Sequence, residues 1–314
     1  MSKPILTLTV NPALDRIVTA DRLVFEDRAY IESTTEAAGG RGINAARVLT
    51  SFGAAVIAIT TSGREIGRKF EEHLAKDSFG KEIVKIRNAI RINLTISDRQ
   101  GLSIKLNELG PLLSPPEQQR LIKATEKLLP GASWLMLCGS LPPEMDTHFY
   151  TTLIKLAAKH NVQTLLDTDG DALLYGVEAG PTIVKPNQSE AERLLNSALI
   201  TRSQLVEAVQ RIKAFGPNTV VLSLGSRGAI AATSSEGVLE VTPPPIDARC
   251  PIGAGDAMSA AMVWALEQNN PISEALRWGV AAGTASSRLP GITLANLEQT
   301  REIYKQTQVT RLVV

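Results

Sequence analysis

The sequence predicts an α/β protein with a mostly parallel central sheet, covered by helices on both faces and interrupted by two polar β segments. Three observations carry this. Runs apolar along their whole length, Trp134 to Cys138, Val162 to Asp167, Thr182 to Lys185 and Thr219 to Leu224, are separated by helical patterns. The stretch 91–107 instead alternates with period two. A G-x-G, Gly253-Ala254-Gly255, opens the apolar run 257–266, which is a helix start with its amides free.

Each element follows from local chemistry. Ile5 to Val10 is a first strand that turns at Asn11-Pro12, ahead of Asp15. Arg16 to Thr19 and Arg28 to Thr34 read as short strands joined by a loop holding Glu26 and Asp27. The glycines of Ala38-Gly39-Gly40-Arg41-Gly42 open a helix with Ile43, Ala46 and Leu49 on one face, and Gly53 closes it. Strand Ala55 to Thr60 and the amphipathic helix Arg64 to Lys76 follow. Arg91 to Ser97 and Leu102 to Asn107 form a hairpin turned by Asp98-Arg99-Gln100-Gly101. Ser114-Pro115-Pro116-Glu117 caps a helix through Leu129. Helices over 146–159, 171–178, 188–196 and 203–214 separate the apolar strands. Two hairpin-like strands near 229–232 and 238–241 and a Pro243-Pro244-Pro245 run lead to the Gly253 helix. Helices 273–287, rich in small residues, and 296–307 end the chain. The organisation is one α/β domain of 1–11, 35–90 and 108–314, with 12–34 and 91–107 inserted.

Composition excludes several classes. The 314 residues carry 33 basic and 32 acidic side chains, a net charge of +1, so no global field recruits nucleic acid or a membrane surface. No apolar run approaches the roughly 20 residues of a membrane span, and the start of the chain lacks a secretory pattern. Cys138 and Cys250 read as reduced thiols of a cytoplasmic protein, and three scattered histidines make no zinc set.

A phosphate docked on Gly253 to Gly255 would meet free amides and roughly half a positive charge from the helix dipole. Asp256 in the same turn suits a base that takes a proton from a hydroxyl attacking phosphorus; the plainer reading is an acid complementing the dipole. Gly40-x-Gly42-x-x-Ala45 matches a dinucleotide fingerprint, but polar Ser33 to Glu36 precede it and no carboxylate ends the next strand. Glycines that let a small polar ligand approach, with Asn44 reaching it, fit better. Ligands of parallel sheets bind beyond the strand ends, where Ser140, Asp167, Lys185-Pro186-Asn187 and Ser223-Leu224-Gly225 fall. One face of the hairpin carries Arg91, Asn93 and Lys105, which suits a phosphate or simply solvent. The apolar face, Ile92, Leu94, Ile96, Ile104 and Leu106, needs a cover, and a symmetric partner would supply one.

Three stretches together resemble the PfkB/ribokinase family of sugar kinases: Ala38 to Asn44, Lys185-Pro186-Asn187-Gln188-Ser189-Glu190 and Gly253-Ala254-Gly255-Asp256. Asn11 to Asp15, Arg91-Ile92-Asn93, Gly139-Ser140-Leu141-Pro142 and Ser223-Leu224-Gly225 are similar to its phosphosugar branch. The resemblance implies a ribokinase-like three-layer α/β/α fold with a small β-sheet lid that doubles as the contact of a homodimer. It also implies ATP- and Mg²⁺-dependent phosphorylation of a ketohexose monophosphate, with fructose 6-phosphate favoured and fructose 1-phosphate or tagatose 6-phosphate as alternatives. By the same resemblance Asp256 is the base, and Gly253, Ala254 and Gly255 form the anion hole. Asp15, Gly39, Gly40 and Asn44 would hold sugar hydroxyls, while Arg28, Arg91 and Ser140, with Arg41 and Lys105, would meet the sugar phosphate. Lys185, Asn187, Ser223, Gly225 and Gly228 would face ATP, and Glu190 with Asp167 would organise Mg²⁺ through water. Two departures stand out: Arg249-Cys250-Pro251 enter the last signature where Ser or Thr then Thr are usual, and Arg41 replaces the Gly or Lys of the branch. A non-catalytic sugar-phosphate sensor on the same fold is the reading of a different class.

Overall fold

In the computed structural model, which describes residues 3–24, 27–100 and 102–313, the chain begins with a strand buried at every position, β1 (Ile5–Thr9). β2 (Ala13–Ala20), β3 (Ile31–Gly39), α1 (Arg41–Ser51), β4 (Val56–Ser62), α2 (Arg64–Leu74), β5 (Gly80–Lys85), β6 (Arg91–Asp98) and β7 (Ser103–Asn107) follow. Next come α3 (Pro115–Leu128), β8 (Trp134–Cys138), α4 (Phe149–Lys159), β9 (Gln163–Asp167), α5 (Gly170–Glu178), β10 (Ile183–Val184), α6 (Gln188–Leu195) and α7 (Arg202–Ala214). The last third holds β11 (Thr219–Ser223), β12 (Ala229–Thr233), β13 (Gly237–Thr242), α8 (Ala254–Glu267), α9 (Ile272–Ser287), α10 (Leu297–Tyr304) and β14 (Gln308–Leu312).

The main sheet has ten strands in the order β14-β13-β12-β11-β10-β9-β8-β1-β4-β5. From β5 to β11 every neighbouring pair is parallel, and β12 to β14 add an antiparallel edge. Strands that bury both faces are dominated by apolar residues: β8 is apolar throughout, and β1 is buried at every position with only Thr7 and Thr9 polar. Helices α1, α8 and α9 pack together on one side, while α3 to α7 neighbour one another in succession. Gly279 and Gly283 explain the close approach of α8 and α9: a Cβ would fall 2.4 Å from Met262 Cγ at the first and 2.9 Å from Ala254 O at the second. This is the ribokinase-like α/β architecture read from the sequence.

The second sheet, in the order β3-β2-β6-β7, is built from the segments expected to form the lid, and the name is kept for it below. Its register pairs Ala13 with Arg91, Asp15 with Asn93 and Thr95 with Lys105, so alternation sets these polar residues on one face. Ile104 and Leu106, 40% and 54% exposed, lie on the opposite face.

Several boundaries differ from the sequence reading. β5 and β14 escaped it because both are edge strands that tolerate charge, as Lys81, Glu82, Lys85 and Arg311 show. The chain turns into β14 where the final helix was expected to run on to 307, so α10 ends at Tyr304. β3 continues to Gly39, so the expected domain boundary at 34 falls inside a strand; the glycines end that strand, and Gly40, at φ +132°, turns the chain into α1. α4 starts at Phe149 rather than 146 because the Asp146 carboxylate accepts from the His148 amide in a separate turn. Glu26 and Gly101 lie outside the described residues.

Candidate active site

β10 has only two residues, and the chain leaves it through Lys185 directly below the N-terminus of α8. Gly253 caps α8 at φ +77°, a conformation open to glycine at little cost. The Ala254 amide is used in a turn to Pro251 O (3.3 Å), and the Ala257 amide makes the first helical bond to Gly253 O (2.9 Å). The amides of Gly255 and Asp256 have no backbone partner among the described residues and remain available to an anion. The loop before the helix is fixed by Arg249 and Cys250, whose amides donate to Ser287 O.

The Asp256 carboxylate accepts a hydrogen bond from Asn44 Nδ2 at 2.8 Å, which joins the first and last signatures across the chain. It reaches the cleft but is hemmed in by protein. Burial, and then the negative charge of Asp167, push its pKa up to about 6, against the lowering effect of Asn44, Arg41 and Lys185. A carboxylate tuned in this direction is a stronger base than a solvated one.

Asp167, at the tip of β9, is the hub of the floor. One of its oxygens accepts from Lys185 Nζ at 2.9 Å and Ser259 Oγ at 3.0 Å, and the other from Arg41 Nη1 at 3.1 Å. Burial disfavours its charge, and the two cations outweigh that and hold its pKa below the usual carboxylate range. Arg41 also contacts Asp169 (3.0 Å) and Glu190 (3.7 Å). Burial opposes the guanidinium's charge, but Asp167, Glu190, Asp256 and Asp169 together raise its pKa. Asn187 and Glu190 form a capping box at α6: the Glu190 amide donates to Asn187 Oδ1 and the Asn187 amide to Glu190 Oε2.

These groups line a cleft of about 690 Å³ that also takes in Ser223, Gly225 and Gly228 and has an apolar wall of Pro243 to Ile246 and Val280. The volume and mixed lining suit a nucleotide. For Mg²⁺ the donor set is sparse: both Asp167 oxygens face cations, and no group of three ligating side chains converges among the described residues. Glu190 Oε1, with only the distant Arg41 contact, fits an ion that keeps water and takes most ligands from phosphate.

On the lid side Asp15 accepts from Asn93 Nδ2 at 2.9 Å, and burial raises its pKa. A Cβ on Gly39 would fall 2.0 Å from Asp15 Oδ2, so glycine is needed for that carboxylate to sit there. Arg91 donates through Nη1 to Glu108 O, while its Nε is buried without a partner. Asn93 Oδ1 and Asn11 Oδ1 are likewise buried and unpartnered, acceptors suited to a polar ligand. Asn11 Nδ2 donates to Leu109 O (2.9 Å) and approaches Ser140 Oγ (3.5 Å).

The structure thus brings together Asp15, Gly39, Asn93 and Arg91 at the lid, and Arg41, Asp167, Lys185 and Glu190 below α8. It does not bring in Arg28 or Lys105, both exposed, which make no hydrogen bond or ion pair through their side chains with the described cleft residues. Asn11 and Asp169 were missed by the sequence reading. The signals were there: an Asn-Pro corner after a buried strand, and a second acid two residues beyond Asp167.

Sequence comparison agrees with this geometry. The pfkB family carbohydrate kinase pattern matches residues 9–299. The chain is 32% identical over 303 residues to the ATP-dependent 6-phosphofructokinase isozyme 2 of Escherichia coli, covering 96% of this chain and 97% of that protein. It is 29% identical to a tagatose-6-phosphate kinase of Staphylococcus epidermidis, covering 97% and 99%. The structure of the tetrameric inhibited form of E. coli phosphofructokinase-2 superposes with a TM-score of 0.89 at 31% identity, covering 96% and 98%. The chain belongs to the pfkB family of carbohydrate kinases, ATP-dependent phosphotransferases with an alcohol acceptor.

Two outcomes follow. An Asp256 that serves as the proton acceptor must be ionised, so kcat/KM would be present above its pKa and lost as pH falls through about 6. Removing the Asn44 hydrogen bond in Asn44→Ala moves that limb to higher pH, which a pH profile reads. Gly39→Ala displaces Asp15 and raises the sugar KM on the order of tenfold while the protein stays folded, as kinetics and thermal melting check together.

Proposed function

We propose that this kinase transfers the γ-phosphate of ATP to a hydroxyl of fructose 6-phosphate, giving fructose 1,6-bisphosphate. The observation that carries the reading is the Asp256 carboxylate, held by Asn44 beside two free amides of α8 and opening on the cleft. Asp256 takes the hydroxyl proton late, as suits a loose transition state, and the Gly255 and Asp256 amides meet the charge spread over the equatorial oxygens. Lys185, Asn187, Ser223, Gly225 and Gly228 hold the nucleotide. Glu190, with Asp167 in an outer role, would hold a hydrated Mg²⁺, which would supply charge neutralisation to the phosphates. Asp15, Gly39, Gly40 and Asn44 orient the sugar. The unpartnered Arg91 Nε makes Arg91, with Ser140, the receiver of the sugar phosphate. Arg28 and Lys105 reach it only if the lid closes or a second subunit brings them in.

Fructose 1-phosphate and tagatose 6-phosphate remain alternatives because Arg41 departs from the Gly or Lys of the branch. We place the enzyme in the cytoplasm on its unpaired cysteines, Cys138 and Cys250. The exposed face of Ile104 and Leu106 would pair two lids in a homodimer; the E. coli relative is described in a tetrameric inhibited form.

ADP release with Mg²⁺-ATP across the three phosphosugars, fructose and ribose tests the reaction. One phosphosugar should dominate, and Asp256→Asn should lower kcat by about 10²- to 10⁴-fold. No turnover on any of them brings the sensor reading forward. Ile104→Lys should shift sedimentation at micromolar protein towards the monomer, and a wild-type monomer would refute the lid pairing.

A further inference from the structure

Asp169 follows β9 and occupies the N-cap position of α5, yet its side chain makes no capping hydrogen bond. The carboxylate is turned elsewhere. Its Oδ2 accepts from Arg41 Nη2 at 3.0 Å, with 34% of the side chain exposed. The same carboxylate acts on Arg91 of β6 through its charge. Burial is what most disfavours the Arg91 charge; Asp15 favours it, Arg41 repels it and Asp169 favours it again. Two guanidinium groups therefore lie within each other's field, with the Asp169 carboxylate acting on both.

The two arginines are anchored differently. Arg41 is tied from below by Asp167 and Glu190, in the cleft lined by Lys185 and Asp256. Arg91 is tied to the lid through Glu108 O and keeps a buried, unpartnered Nε. A phosphate dianion arriving at Arg91 would attract the neighbouring guanidinium as well, since an arginine fork binds phosphate in a bidentate way. The outer nitrogen of Arg41 is held against that pull by Asp169.

We propose that Asp169 is a positioning residue that keeps Arg41 with the nucleotide phosphates and leaves Arg91 as the cation of the sugar phosphate. The inference rests on the phosphosugar-kinase reading above. Freeing Arg41 gives the sugar phosphate a second cation in the ground state and takes that cation from the transferred group, so binding tightens while turnover falls.

Asp169→Asn, Arg41→Met and the double variant form a cycle, read by calorimetric binding of fructose 6-phosphate without nucleotide and by kcat. Asp169→Asn should bind the sugar phosphate about three- to tenfold more tightly and lose on the order of tenfold in kcat; in the Arg41→Met background it should change either value by less than about twofold. Asp169→Ser repeats the test without an amide. Weaker or unchanged binding in Asp169→Asn, an unchanged kcat, or the same changes in the Arg41→Met background would overturn the assignment. A wild-type protein that neither binds nor phosphorylates any phosphosugar would instead remove the reading beneath it, and the assignment with it.

Discussion

The structure depends on crowding charge into one place: three carboxylates, Asp167, Glu190 and Asp256, line the cleft with two cations, Arg41 and Lys185, and a fourth, Asp169, pairs with Arg41. Burying like charges is costly unless each is paired or hydrogen-bonded. Asp167 is satisfied by both cations and stays ionised, and that settled charge helps to lift Asp256 towards neutral pH. One carboxylate stays charged, and its neighbour's proton affinity rises. The arrangement exists only because β9 and β10 end at the same level and α8 begins above them, which is what the parallel sheet provides.

The same constraint explains the glycines. Gly253 gives α8 a start that leaves two amides free, Gly39 makes room for Asp15, and Gly283 lets α9 come close behind the helix. Each is a position where backbone or carboxylate must approach more closely than a Cβ permits. The lid answers the other half of the problem. Its polar face gathers Asp15, Asn93 and Arg91, and its register is set by the pairing of β2 with β6.

Much of this was legible in the sequence because it rests on local pattern. Continuous apolar runs announced the buried strands, the alternation of 91–107 announced the lid, and Gly253 to Asp256 announced the helix start. What the sequence hid was long-range pairing. Nothing in Arg41 indicates that it will meet Asp167 and Asp169, 126 and 128 positions away, and nothing near Asn11 indicates that it will bind the Leu109 carbonyl. The edge strands β5 and β14 were hidden for a different reason: with one neighbour each, they need no continuous apolar run. Arg28, assigned by resemblance, is exposed in the folded chain, and its side chain makes no hydrogen bond or ion pair with the described cleft residues.

The central claim is that Asp256 and the α8 amides direct phosphoryl transfer to a sugar hydroxyl and not to water. Phosphorus NMR of the products formed from Mg²⁺-ATP and fructose 6-phosphate tests this most directly. A second phosphate-ester resonance on the hexose, appearing in step with ADP, is the result this account predicts. Release of inorganic phosphate with no new ester would contradict it.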